Sequence, residues 1–110
     1  MGKFVISQRA NGQYYFSLKA DNGEIVLASE GYTSKVGCLR GVDAVKVNAR
    51  DESKFDRKSS TNAKYYFNLK AANGQIIGTS EMYQTSVGRD NGIDVVKRVA
   101  PVAVVNDLSS

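Results

Sequence analysis

The stretch NGQYYFSLKA, residues 11–20, returns as NAKYYFNLKA, residues 62–71. The second copy lies 51 positions after the first (62 minus 11), and at this offset SEGY (29–32) also falls on SEMY (80–83) without a gap. Ungapped agreement over this length indicates a tandem duplication. The fold is therefore expected to consist of two copies of one unit.

The chain length of 110 residues limits how these two copies can fold. A half of this length buries too little apolar surface to offset its chain entropy, so the halves are expected to share one core. We predict a single domain over residues 1–110, with the first repeat at about 1–58 and the second at about 54–107. Hydrophobic residues make up 42% of the chain and charged residues 24%, which is typical of a globular protein.

Three strands are predicted at the start of the first copy. Residues 14–20 and 25–29 are β-branched, aromatic and aliphatic runs on either side of Asn22-Gly23, and residues 4–8 form an earlier run. An Asn-Gly pair between two such runs predicts a hairpin with a type I′ turn, in which both central residues have positive φ. Asn73-Gly74 predicts the same turn in the second copy.

A helix is predicted after the hairpin of each copy. Up to about Asn48 the apolar residues recur at helical spacing, and Ser34 is placed to cap the helix, as Thr85 is in the second copy. Two glycines in each helix cost about 1 kcal/mol apiece relative to alanine. Their matching positions suggest close packing of helix against sheet, at Gly37, Gly41, Gly88 and Gly92.

Each helix is followed by a further predicted strand. The segment 49–62 is charged and serine-rich, yet it places Lys54-Phe55 at the register of Lys3-Phe4, which predicts a short strand there. After the second helix, Pro101 ends the helix and the valines that follow favour a closing strand.

The segment YYFNLKAANGQIIG (65–78) and the two Ser-Glu-x-Tyr turns make this sequence similar to the YegP-like family of small bacterial proteins. The resemblance covers nearly the whole chain. It implies an α+β fold of two tandem β3-α-β repeats, with one mainly antiparallel sheet, two helices on one face, pseudo-two-fold symmetry and final strands exchanged between the repeats. The family is functionally uncharacterised and implies no active site. Ala63, in place of the first copy's Gly12, weakens one turn signal only.

The formal net charge of +4 and the cysteine content limit the classes of function. A mild basic excess is compatible with phosphate-rich partners but is common in proteins that bind none. Cys38 is the only cysteine and histidine is absent, so neither an intrachain disulfide nor a structural zinc site is predicted. We expect a cytoplasmic location, no cofactor and no membrane association, because no apolar stretch is long enough for a signal peptide or a bilayer span.

Strand alternation sorts the hairpin side chains onto two faces, of which a helix layer covers only one. Val26 and Ile77 are predicted on the uncovered face. The residues predicted to face the core are Phe16, Leu18, Ala20, Ile25 and Leu27 and, in the second copy, Phe67, Leu69, Ala71 and Ile76.

The uncovered face presents tyrosine beside lysine twice. A sheet with aromatic rings and cations can stack unpaired bases and hold phosphates, so this face is a candidate site for single-stranded nucleic acid. The same residue types are ordinary on a half-exposed strand, and no ribonucleoprotein-type motif accompanies them. The candidate residues are Tyr15, Lys19, Tyr66 and Lys70.

Duplicated acids offer a different chemistry. Glu30 with Glu81, or Asp43 with Asp94, could act in acid–base catalysis or hold a cation, although duplication alone produces such pairs. Cys38 lies near a helix start, where a thiol can be reactive, but its place on the apolar stripe favours a core role.

These observations favour a non-enzymatic binding or interaction module that acts as a monomer, with nucleic acid or another protein as possible partners. The alternatives are a single-stranded nucleic acid binder that uses the tyrosine and lysine face, and a small enzyme or metal binder that uses the duplicated carboxylates. An exposed aromatic, cationic sheet face would favour the first alternative. A concave pocket that holds Glu30 and Glu81 would favour the second.

Overall fold

The computed structural model describes residues 2–109, which form seven strands and two α-helices. In chain order these are β1 (Lys3–Gln8), β2 (Tyr14–Lys19), β3 (Ile25–Ala28), α1 (Lys35–Asn48), β4 (Phe55–Ser59), β5 (Tyr65–Lys70), β6 (Ile76–Thr79), α2 (Ser86–Val99) and β7 (Val104–Asp107). The strands form one sheet in the order β4-β5-β6-β3-β2-β1-β7. The predicted α+β architecture of two tandem repeats is therefore confirmed.

The strand that follows each helix pairs in the other repeat. β7 leaves α2 and lies parallel to β1, with Lys3 opposite Val104 and Ile6 opposite Asp107. β4 leaves α1 and pairs antiparallel with β5. The exchange of final strands, implied by the family resemblance, is present, and all other strand pairs are antiparallel.

Both repeats contribute to one hydrophobic core beneath the helices. α1 contacts β5 and β6 of the second repeat as well as β2, and α2 contacts β3 of the first. Tyr32 stacks on Phe16 and Tyr83 on Phe67, with ring centroids 6.2 and 6.5 Å apart. The largest fully buried side chains come from both halves, namely Phe4, Phe16, Phe67, Ile6, Leu18, Leu27, Leu69, Ile93, Val42, Val45, Val96 and Cys38.

A large and a small residue face each other where the two repeats meet. Leu27 of β3 and Gly78 of β6 occupy equivalent positions, 51 residues apart. A Cβ atom on Gly78 would lie 2.6 Å from Leu27 Cδ2, closer than real carbon contacts. The seam is therefore packed by one leucine and one glycine at a position that the duplication made equivalent.

The helices begin as predicted, and their glycines have a packing role. Ser34 Oγ accepts a hydrogen bond from the Gly37 amide at 3.0 Å, and Thr85 Oγ1 accepts one from the Gly88 amide at 2.9 Å. A Cβ atom on Gly41 would overlap the Tyr32 hydroxyl and lie 2.7 Å from Tyr32 Cζ. Gly92 has the same relation to Tyr83, so these glycines admit the tyrosine rings under the helices.

The hairpin turns differ from the predicted type I′. The Gly23 amide donates to the Ala20 carbonyl and the Ala20 amide donates to the Glu24 carbonyl, which encloses a three-residue loop. Gly23 has a φ of 84°, whereas Asn22 is not among the residues with positive φ. This is the loop in which a glycine bulge follows the turn. The Asn22 carboxamide oxygen accepts from the Glu24 amide at 3.0 Å, which explains asparagine at that position.

The bulge reverses part of the predicted alternation. The register shifts between Leu18 and Lys19, so that Ile25 pairs with Lys19 and is exposed, while Val26 is buried. The second repeat shifts in the same way, leaving Ile76 exposed and Ile77 packed against the core. The inward prediction for Ile25 and Ile76 was therefore wrong, as was the outward prediction for Val26 and Ile77, because one extra residue moves a side chain to the opposite face.

The turn between β4 and β5 contains the only non-glycine residue with positive φ among residues 2–109. Ala63 has a φ of 63°, at the position where the first repeat has Gly12 with a φ of 82°. A side chain in this left-handed region costs about 1–2 kcal/mol. Strain is therefore stored in the second repeat at a place where the first repeat has none.

Candidate functional site

The sheet face opposite the helices, called the outer face below, lies uncovered across the middle of the molecule. Its central row runs from Ser17 through Ala28 and Thr79 to Asn68, crossing the seam between the repeats. The four residues predicted from the sequence alternate with buried residues on β2 and β5, which places them on this face. They are Tyr15, Lys19, Tyr66 and Lys70, and all four are half-buried.

Tyr15 is held in place by three neighbours from the loop before β2. The Arg9 guanidinium lies over the Tyr15 ring, 3.8 Å from its centroid. The Tyr15 hydroxyl donates to Gln13 Oε1 at 3.3 Å and accepts from Asn11 Nδ2 at 3.1 Å. One face of the ring is therefore already stacked on a cation, and the ring orientation is fixed.

The two candidate lysines differ in their surroundings. Lys70 forms an ion pair with Asp56 at 3.2 Å, and Asp56 also pairs with Lys58 at 3.3 Å. The hydrogen bond from Lys70 lowers the pKa of Asp56, so this carboxylate stays charged near neutral pH. Lys19 has no ion pair with any of the residues that the structure describes. The duplicated pairs are thus unequal, and the first repeat keeps the free cation.

A cleft of about 600 Å³ occupies the outer face beside Tyr15. It brings together residues that the sequence placed in two separate hypotheses, Tyr15 of the aromatic face and the acids Glu30 and Glu81. Asp43 and Asp94 lie on the helices and do not line it. The lining residues are Arg9, Gln13, Tyr15, Ala28, Ser29, Glu30, Gly31, Ile76, Gly78, Thr79, Ser80 and Glu81.

Two serines fix the chain where it carries the acids. Ser29 Oγ accepts from the Phe16 amide at 2.9 Å and donates to the Glu30 carbonyl at 2.8 Å. Ser80 repeats both bonds, with the Phe67 amide and the Glu81 carbonyl. These serine hydroxyls hold the end of each hairpin, so Glu30 and Glu81 leave the sheet at fixed points.

The cleft spans both repeats, but the wall that contains Arg9, Gln13, Tyr15 and Gly31 comes from the first repeat. A Cβ atom on Gly31 would overlap Gln13 Oε1 and lie 2.9 Å from the Tyr15 hydroxyl, so a side chain at this position would displace the Gln13 carboxamide. The equivalent residue in the second repeat is Met82, whose side chain is exposed and does not line the cleft. Glycine in one copy and methionine in the other therefore make the two halves of the outer face different.

Sequence reasoning missed Arg9, Gln13 and Gly31. Arg9 and Gln13 belong to a loop, where no periodic pattern predicts the direction of a side chain. The difference between Gly31 and Met82 was visible in the aligned repeats and could have indicated that a side chain is missing from one half of the face.

Cys38 is buried, and the acidic side chains of residues 2–109 do not gather into a metal-binding group. Burial raises the pKa of the Cys38 thiol, and the Asp107 carboxylate raises it further, so the thiol is protonated near neutral pH. Its side chain is fully buried, which confirms its core role. Within residues 2–109, no group of three or more cysteine or acidic side chains could hold a metal ion. No helix in this part of the chain is long and apolar enough to cross a membrane.

Comparison with known proteins identifies the repeat unit. A family model described as a domain of unknown function, DUF1508, matches residues 10–56 and again residues 60–107. The chain belongs to the DUF1508 family. The two matches follow the two repeats, and the resemblance to YegP-like proteins is confirmed.

Relatives from several bacteria share the full length of this DUF1508 chain. A UPF0339 protein from the ptx operon 5′ region of Stutzerimonas stutzeri is 48% identical over 99% of this chain and 98% of its own. The UPF0339 protein YegP of Escherichia coli K12 is 45% identical over 96% of both. The solution structure of a UPF0339 protein from Shewanella oneidensis is 44% identical, with a TM-score of 0.94 over 98% of this chain and 92% of that one. These relatives establish the family and the fold.

Proposed function

We propose that the protein is a non-enzymatic binding module that takes a polar ligand in the cleft on its outer face. The observation that carries this proposal is the cleft of about 600 Å³ around a Tyr15 side chain already fixed by Arg9, Gln13 and Asn11. Small-molecule sites have volumes of about 300–1,000 Å³ and contain a few polar groups held in position. A preformed site of this kind loses little entropy when it binds.

The cleft holds Glu30 and Glu81, which is the arrangement expected for a small enzyme or metal binder, but the hydrogen bonds of its hydroxyls support binding rather than catalysis. A nucleophile needs a base within hydrogen-bonding distance, but the hydroxyls of Ser29 and Ser80 donate to backbone carbonyls. The Tyr15 hydroxyl donates to a neutral amide oxygen. These hydroxyls therefore hold the backbone and side chains of the cleft in position.

The charges around the cleft indicate the chemistry of the ligand. Arg9 supplies a cation, while Glu30 and Glu81 supply carboxylates, and Ile76 adds an apolar surface. A ligand with both a cationic and an anionic group, such as a short peptide segment, matches this lining. We place this binding in the cytoplasm, since the lone, buried Cys38 suits a reducing compartment.

A matched pair of substitutions tests the site. Amide chemical shifts would be followed while amino acids, dipeptides and nucleotides are added in turn. We expect at least one class to shift the amides of Tyr15, Glu30 and Thr79. Gly31→Met should remove these shifts because the new side chain fills the cleft, whereas the control Met82→Gly should retain them. Shifts that fall on the helices instead, that persist in Gly31→Met, or that are absent for all three classes would contradict the proposal.

Single-stranded nucleic acid is the second candidate ligand, supported by the free Lys19 on the same strand as Tyr15. Fluorescence anisotropy with a short RNA at low salt would measure this binding. Lys19→Glu should weaken it more than Lys70→Glu, because Lys70 is held in an ion pair with Asp56, which it shares with Lys58. Removing one phosphate-binding cation should reduce the steepness with which log K falls with log salt concentration by about 0.7. An absence of binding even at low ionic strength would exclude this candidate.

A further inference from the structure

The sheet ends in two different strands, β4 on one side and β7 on the other. β7 bonds to β1 through its inner edge, and no strand among residues 2–109 lies beyond it. An edge strand presents unpaired backbone amides and carbonyls, which can pair with another chain unless charge, proline or a bulge prevents it. The side chains at each end therefore determine whether that end can accept a partner.

The β7 end of the sheet is apolar. Val104, Val105 and Leu108 are 55%, 42% and 63% exposed. The ion pair between Lys35 and Asp107, at 3.0 Å, places the first turn of α1 beside β7. That helix carries two more exposed apolar side chains, Val36 and Leu39, while the apolar edge itself consists of Val104, Val105 and Leu108.

The β4 end of the sheet is covered by ion pairs. Arg57 reaches Glu52 at 2.9 Å and Asp90 at 3.0 Å, and Lys97 also pairs with Glu52 at 3.1 Å. A strand added at this end would have to displace or desolvate these charges. Charged side chains at a sheet edge are a common protection against such pairing.

We propose that the apolar edge pairs with the same edge of a second copy of this chain, β7 beside β7 across a two-fold axis. Such a contact ends at two chains, because both copies use the same surface and no free copy of that surface remains for a third chain. Pairing β7 with the β4 of another copy would place valines against the ion pairs of Arg57 and would continue into open filaments. The two-fold arrangement avoids both the contact of valines with ion pairs and the growth of filaments.

The local charge allows two basic chains to meet at this edge. Ser109 and Lys35 hold the pKa of Asp107 at about 2, so Asp107 is ionised near neutral pH and its charge is balanced by Lys35. The side chains of the apolar edge carry no charge themselves, and the remaining nearby cation on the neighbouring strand is Lys3, opposite Val104.

The association is weak because the contact is small. Pairing of a four-residue strand buries less than the roughly 1,200 Å² of a standard interface. The protein remains monomeric in dilute solution, where the two repeats already complete each other's core, and forms the dimer reversibly as its concentration rises.

Sedimentation of the intact chain from about 10 μM to about 1 mM, the range of weak association, tests the proposal. The average mass should rise towards that of the dimer, and Val105→Lys should reduce the association constant at least about tenfold through like-charge repulsion across the axis. Val87→Lys is the matched control, since Val87 is 67% exposed on α2 and occupies the position equivalent to Val36. It should leave the association unchanged.

A second variant guards against a folding defect. Val104→Lys places the charge on the other side of β7 and should have the same effect, while the amide spectra of both variants at low concentration match that of the parent. A mass that stays monomeric at about 1 mM would overturn the proposal. So would association that survives both β7 substitutions or that Val87→Lys abolishes equally.

Discussion

The first strands of the two repeats, β1 and β4, begin alike and end in different surroundings. Phe4 pairs with Leu18 and Phe55 with Leu69, so each strand meets its hairpin partner in the same register. β1 nevertheless has β7 on its other side, while β4 has no neighbour there among residues 2–109. Backbone pairing within the hairpin therefore does not determine which edge receives the last strand.

Side chains at three equivalent positions differ in the same way. Ile6, Cys38 and Leu39 of the first repeat correspond to Arg57, Arg89 and Asp90 of the second. Ile6 and Cys38 are fully buried, whereas the charged set forms ion pairs over β4. The edge that carries the parallel strand is therefore apolar, and the edge without a further strand among the described residues is ion-paired, although the two repeats are duplicates.

The largest effect is expected when the repeats are separated. Residues 1–60 expressed alone should show no cooperative thermal unfolding as a monomer, because α1 loses β5 and β6 and β1 loses β7. The fragment should either be unfolded or pair with a second fragment, which circular dichroism and sedimentation would distinguish. A stable, cooperatively folded monomer would show that the two repeats do not depend on a shared core.

Exchanging one residue between the two edges should have unequal effects. Ile6→Arg buries an unpaired charge under β7 and should lower the free energy of unfolding by about 3–5 kcal/mol. Arg57→Ile removes ion pairs that are half exposed and should cost less than about 1 kcal/mol. Urea denaturation of both variants measures the difference. Equal losses would mean that the two edges depend on these side chains to the same extent.

A smaller effect is expected in the turn before each second strand. Ala63→Gly should raise the free energy of unfolding by about 0.5–1 kcal/mol, because glycine adopts a φ of 63° without strain. Gly12→Ala should lower it by about 1 kcal/mol for the opposite reason. Thermal unfolding of the two variants would measure both changes in the free energy of unfolding, and a stabilising Gly12→Ala would contradict the expectation.

Local sequence patterns predicted the elements of the fold but not the details that make the repeats unequal. The offset of 51 residues, the caps at Ser34 and Thr85 and the closing strand followed from residue types whose preferences act within a few positions. The direction of Ile25 did not, because it depends on a single bulge after Asn22-Gly23 that reverses the faces of Ile25 and Val26 but leaves Leu27 in the core as predicted.

The candidate site was only partly predictable, for a related reason. Alternation placed Tyr15 and Lys19 on the outer face, and this depends only on β2 itself. The stacking of Arg9 on Tyr15 depends on the course of a loop. The meeting of Glu30 with Glu81 in one cleft depends on how β3 joins β6, which no local pattern specifies.

The leucine and glycine that meet at the seam show that the two repeats, joined in one chain, can carry different residues at equivalent positions. In an assembly of two identical single repeats, both positions at the axis would carry the same side chain, giving two leucines in collision or two glycines around a void. One chain with two copies escapes that constraint, since each copy can mutate alone. Leu27 and Gly78 differ in this way, so the two repeats are not interchangeable. A chain with the first repeat in both places would bring leucine against leucine at the seam.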